Sequence, residues 1–357
     1  MKRERGLSMV ELLVGLAIGS MVIVGAVFVY NQSRTSYAIN ETQARLQENA
    51  RYAFAVLEND IQLAGNYGFT NWPADLEWSG VNAAALLPNK TAYGPTDCGT
   101  NFATFVMMPV EGWNDAYPTG GCQPNTATAG SAVAGADVLA IRRASTEVAA
   151  VSVAKIQIYA DRSVGNPQKI FNSATAPGAS DAKHEIRDLL YRRYYVGANS
   201  RSVAGFPTLW RKSMVPNSGN TAPEVVDEEI LPGVEDFQIQ FGIDTGDRNA
   251  DGIPDVDKEP EDGQPDSTNG IVSRWVEPDS TLILPKAYNA AGIGAQVVAV
   301  RVWLRIRADA IEVGFKDTAS YQYAGMASAW VPPAGTLANT RRLLVSRTFY
   351  VRNARVF

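Results

Sequence analysis

Residues 1–30, MKRERGLSMVELLVGLAIGSMVIVGAVFVY, join a short basic leader to an apolar run interrupted by one acid, Glu11. As a helix, the run from Leu7 to Tyr30 would be about 36 Å long at 1.5 Å per residue, enough to cross a hydrocarbon core of roughly 30 Å. Lys2, Arg3 and Arg5 lie on its N-terminal side, which keeps that end in the cytoplasm and sends the rest of the chain across the inner membrane. Glu11 costs on the order of 3 kcal/mol inside a bilayer, so it asks for a partner. A cleavable secretory signal would place small residues after the apolar core, and the stretch from Val27 to Gln32 offers no such site. A plain anchor has no use for the acid. Gly15 and Gly19 add a small-xxx-small spacing that lets helices approach closely.

Gly6 followed by Leu7-Ser-Met-Val-Glu11-Leu-Leu resembles the class III leader of type IV pilins and type II secretion pseudopilins. The resemblance implies cleavage after Gly6 by a prepilin peptidase, a mature chain starting at an N-methylated Leu7, and Glu11 as its fifth residue. Leu7 departs from the phenylalanine usual at that position. In such a chain the freed amine of one subunit can neutralise the Glu11 charge of another inside the bilayer, and that pairing would set the axial register.

Asn31 to Ala64 contains neither proline nor glycine, and Ile39, Leu46, Ala50, Ala53, Leu57, Ile61 and Ala64 recur at helical spacings. Arg45, Gln47, Glu48, Arg51, Glu58 and Asn59 fall on the opposite face, and Gly65 stands where a left-handed C-cap belongs. The reading is a membrane-spanning half over 7–30 and an amphipathic half over 31–65. Together they make a spine of roughly 57 residues, near 85 Å.

Residues 66–357 read as a large β-rich head. Phe237–Ile243 and Val300–Arg307 alternate apolar and polar residues, as half-buried strands do. Further strands are expected at 103–108, 138–143, 154–159, 190–196, 208–212 and 342–351, separated by Gly, Pro, Asn and Ser clusters. No helical pattern alternates with them, so the class is α+β with an antiparallel head.

The only two cysteines, Cys98 and Cys122, lie on the exported side, where a disulfide stapling the 98–122 lobe would contribute roughly 3 kcal/mol. Asp247, Asn249, Asp251, Gly252, Ile253 and Asp255 match the first half of a calcium loop, with a backbone carbonyl expected from Ile253. The second half departs, because Lys258 stands where an EF-hand has its bidentate Glu. The acidic loop 244–266 holds nine acids against Arg248 and Lys258, a local charge of 2 − 9 = −7, so Ca2+ and solvent are the two ways to relieve it. No other cofactor is required.

Enzyme motifs are thin. The one histidine, His184, reads as a surface residue, and there is no G-x-S-x-G, P-loop or CxxC. A net charge of −5 argues against general capture of nucleic acid. Arg192 and Arg193, and Arg301, Arg305 and Arg307, are expected to solvate the wet faces of strands.

The blocks GADVLAIRRAS, LLYRRYYVG, LPGVEDFQIQFGIDTGDRNADG, VVAVRVWLRIRA and FYVRNAR resemble, in that order, the PilW family of type IV pilus minor pilins. The resemblance implies a non-enzymatic subunit that helps prime pilus assembly and sits at the filament tip. Its implied partners are other minor pilins, the major pilin, the inner-membrane assembly platform and a tip adhesin. Two alternatives stay open at this level: a J-type pseudopilin of type II secretion, and a tethered exported domain that binds a ligand or calcium without polymerising.

Overall fold

The computed structural model describes residues 8–71, 76–78, 106, 108–118, 122–163, 168–178, 183–244, 270–280, 283, 296–312 and 314–354. Gly6, Leu7, Cys98 and the calcium-loop residues 247–255 fall outside that set. The chain divides into two compact units, Met1–Glu48 and Asn49–Phe357.

The first unit is the start of helix α1 (Met9–Gln62), which is long and apolar enough to cross a membrane. From Met9 to Tyr30 its large apolar side chains are all more than half exposed, an arrangement that water alone would not favour. Gly15 and Gly19 face open space.

In the second unit the last turns of α1 bury Ala50, Ala53, Leu57 and Ile61, which belong to the stripe read from the spacing, and Phe54 beside them. The helix stops where the sequence says it should. Gly65 takes φ +76°, and its N–H leaves the helix to donate to the Arg142 carbonyl at 3.1 Å.

Eight strands form the first sheet: β1 (Leu76–Trp78), β2 (Val110–Trp113), β3 (Val138–Val148), β4 (Gln157–Asp161), β5 (Gln168–Phe171), β6 (His184–Gly197), β7 (Thr208–Pro216) and β8 (Pro223–Pro232). The long β6 organises it. One edge of β6 pairs with β3, while the other pairs first with β4 through residues 184–188 and then with β7 through residues 192–197. The second sheet runs in the order β10 (Arg274–Val276), β9 (Val234–Asp244), β11 (Gln296–Arg307), β12 (Arg342–Tyr350). Its inner face repeats every second residue: Phe237, Ile239, Phe241 and Ile243 on β9, and Val300, Val302, Leu304 and Ile306 on β11, are all fully buried.

Asp137 joins the sheets. Its backbone N–H donates to the Phe237 carbonyl at 2.8 Å, and its carboxylate accepts from the Ile239 N–H at 2.7 Å and the Asp115 N–H at 2.8 Å.

The α+β reading holds, with three corrections. The β1–β5 pair is parallel, so the head is not wholly antiparallel. The strand expected from residue 154 begins at Gln157, because Val153 to Lys155 form a turn in which Ser152 accepts from the Ala154 and Lys155 amides. Of the expected strand 103–108, the two described residues, Val106 and Met108, lie outside any strand.

Candidate functional site

Residue by residue, the helix start is more than an apolar rod with an acid in it. Ser8 precedes the first turn of α1, and its N–H donates to Glu11 Oε2 at 2.9 Å while the Glu11 N–H donates to Ser8 Oγ at 3.2 Å. This is a reciprocal capping box, which satisfies two of the helix's orphan donors and holds a negative charge at the positive end of the helix dipole. Glu11 therefore already has a partner within its own chain. The signature, Ser8-Met-Val-Glu11, was readable as S-x-x-E.

At its other end α1 is seated against both sheets. The Asp60 carboxylate, 4 % exposed, takes Arg143 Nε and Nη2 on Oδ1 at 3.1 and 2.8 Å, and the Tyr194 hydroxyl on Oδ2 at 2.5 Å. These partners come from β3 and β6. Toward the second sheet, Phe54 meets Phe349 edge-on with centroids 5.9 Å apart, and Arg347 reaches Glu58 at 3.1 Å. The Arg352 N–H and the Asn353 side-chain amide donate to the Gln62 carbonyl at 3.1 and 3.4 Å, completing the last turn.

The strand arginines are a correction to the sequence reading. Arg193 is fully buried, stacked 4.6 Å from the Trp113 ring and donating to the Tyr117 hydroxyl at 3.2 Å. Arg305 and Arg307 are buried as well. Glu235 accepts from Arg342 at 2.6 and 3.0 Å and from Arg307 at 3.3 Å, with Arg305 Nε at 3.5 Å. Asp236 accepts from the Tyr323 hydroxyl, which in turn accepts from Arg305 at 2.8 Å, and Arg305 lies 3.6 Å from the Trp330 ring. The network ties Asp317, Tyr323 and Trp330 to the second sheet. Sequence spacing could not find it, because Arg342 is 107 residues from Glu235.

Burial perturbs the acids and bases in these networks. Desolvation pushes the Asp137 carboxyl up to about 8 against the pull of its two backbone donors, and it raises Asp236 as well. It lowers the ammonium of Lys212, which the Asp227 carboxylate 2.9 Å away counteracts. Each is held by hydrogen bonds within the head, Asp137 by two backbone N–H groups, Asp236 by the Tyr323 hydroxyl and Lys212 by Asp227, so the arrangement stiffens the head. His184 is half-buried and stacks on Tyr159 at 5.0 Å. Among the described residues no group of three His, Cys, Asp or Glu could hold a metal. Cys122 is fully buried at φ +61°.

Residues 193–353 match a family model described as Type IV Pilus-assembly protein W, and residues 1–27 match the prokaryotic N-terminal methylation motif. The first match opens within β6 and takes in the whole second sheet; the second covers the leader and most of the exposed apolar part of α1. No curated protein and no solved structure matches the chain.

Proposed function

We propose that this chain, which belongs to the PilW family of type IV pilus-assembly proteins, is a minor pilin that primes pilus assembly and is carried at or near the filament tip. The prepilin motif implies processing by prepilin peptidase and contact with pilus components. The observation that carries the reading is the joint presence, at one helix start, of that motif, an exposed apolar surface and a capped Glu11. On this reading the peptidase cuts after Gly6, and the new Leu7 amine of one subunit meets the Glu11 carboxylate of another. The capping box keeps that carboxylate on the first turn until they meet. The helix rests first in the inner membrane with the head in the periplasm, then enters the filament.

Other minor pilins, the major pilin, the inner-membrane platform and a tip adhesin are the proposed partners. Gly15 and Gly19 would admit a neighbouring helix. In the head, a Cys98–Cys122 disulfide and a Ca2+ ion held by Asp247, Asn249, Asp251, Ile253 and Asp255 belong to the same proposal.

Gold labelling of the head on sheared pili tests the tip assignment: label confined to filament ends supports it, and label along shafts or on none counts against it. Glu11→Ala is expected to leave the head folded and to reduce pilus number. Normal piliation, with the variant recovered normally from sheared filaments, would refute the assembly role. Normal pili with a lost secretion phenotype would favour the pseudopilin alternative.

A further inference from the structure

The registers of β6, β7 and β8 set Arg193, Lys212 and Asp227 opposite one another, in that order, on one face of the first sheet. Arg193 is fully buried, and the side chains of Lys212 and Asp227 are each 3 % exposed. Lysine is seldom buried to this degree, and here its cross-strand neighbour on β6 carries the same charge. Loss of water first, and the Arg193 guanidinium after it, press Lys212 toward the uncharged amine, against the pull of the Asp227 carboxylate.

The two side chains also meet in a reactive geometry. Lys212 Nζ lies 2.9 Å from Asp227 Oδ1 and 3.0 Å from Oδ2. A nitrogen at those two distances is at most about 3.3 Å from the Cγ between them, inside the roughly 3–3.5 Å range of a near-attack arrangement. Each oxygen has a further donor. The Tyr195 hydroxyl donates to Oδ1 at 2.8 Å, and the Asn125 N–H donates to Oδ2 at 2.8 Å. Both are placed to hold the negative charge that builds on these oxygens when Cγ is attacked. Tyr195 packs in an apolar cluster with Ala129, Val138 and Trp210, so little water competes at the pair.

We propose that Lys212 and Asp227 condense into an isopeptide bond that ties β8 covalently to β7. The step is a dehydration. The Lys212 ammonium passes one proton to the Asp227 carboxylate, giving an amine and a carboxylic acid, and the amine lone pair then forms a bond to Cγ. The nitrogen releases a second proton, through the Tyr195 hydroxyl, to the departing hydroxyl group. The C–O bond breaks and one water leaves, with nothing oxidised or reduced. Two opposite charges vanish together, and the like-charge contact with Arg193 goes with them. β8 pairs with β7 and with no other strand, so the bond locks the margin at which this sheet would peel. It forms within one chain and is independent of pilus assembly.

The test is mass spectrometry of the full chain, reduced, denatured and digested with trypsin. Trypsin cuts after Arg211, and a free Lys212 lets it cut again before Ser213; the next site is Arg248. With the bond in place the second cut is blocked, and residues 212–248 are expected as one peptide lighter than its sequence mass by about 18 Da, one water. Fragmentation should release no piece from within the 212–227 ring. Lys212→Arg and Asp227→Ala should each abolish the loss and yield residues 213–248 or their variant at full sequence mass. Should either variant fail to fold, the wild-type peptide decides alone. Wild-type chain cut after Lys212, with residues 213–248 at sequence mass, overturns the proposal. So does an 18 Da loss that persists in Lys212→Arg or sits in a peptide already cut after Lys212, because an aspartyl imide would then account for the missing water.

Discussion

Asp60→Ala should be among the most damaging single changes in the head. The substitution removes a carboxylate that is 4 % exposed and leaves the Arg143 guanidinium, 6 % exposed, and the Tyr194 hydroxyl without their acceptor. Breaking one partner of a buried ion pair costs about 3–5 kcal/mol, because the remaining charge stays desolvated. For a domain of this size, each kcal/mol moves the melting temperature by about 2 °C, so a fall of about 6–10 °C is expected. Near-UV circular dichroism of the full chain in detergent reads it directly. Pairing Asp60→Leu with Arg143→Leu should recover much of the loss, since two apolar residues leave no orphaned charge. A melting temperature within about 2 °C of wild type for Asp60→Ala, or strict additivity in the double variant, would show that the helix seat does not depend on this pair.

The Asp137 carboxyl, raised by burial to about 8 from 3.8, contributes stability that is complete below pH 4 and is lost as pH rises through 8. Denaturant melts at pH 5 and pH 8.5 should show that decline, and Asp137→Asn should flatten it; an unchanged slope contradicts the assignment. Reduction is expected to destabilise the head by about 3 kcal/mol through the 98–122 loop, and non-reduced peptide mapping should find Cys98 linked to Cys122; two alkylatable thiols would remove the bridge. Millimolar calcium should raise the melting temperature of the wild type and not of Asp251→Ala, and no change in either disposes of the metal site.

Much of this fold was legible because period carries it. The apolar repeat from Ala50 to Ala64 and the two-residue alternation in β9 and β11 reappear as buried faces. Gly65 was legible for a different reason, since few other residues tolerate its conformation. β8 was not: Glu224 to Glu229 offer no alternation and make sense as a strand only beside Arg211 and Lys212 of β7. The buried arginines escaped for a related reason. On a strand, an arginine facing solvent and one facing Glu235 look alike in sequence, and only the return of distant segments distinguishes them. The capping box at Ser8 and Glu11 was local and could have been read. A reading that treats Glu11 only as a membrane penalty passes over what the same carboxylate does for its own helix.

The most direct test of the account is the N-terminal peptide of this protein recovered from sheared pili, identified by mass spectrometry. The account predicts a chain beginning at Leu7 with a methylated amine. A chain still beginning at Met1, or a protein found in membranes and absent from filaments, would contradict it.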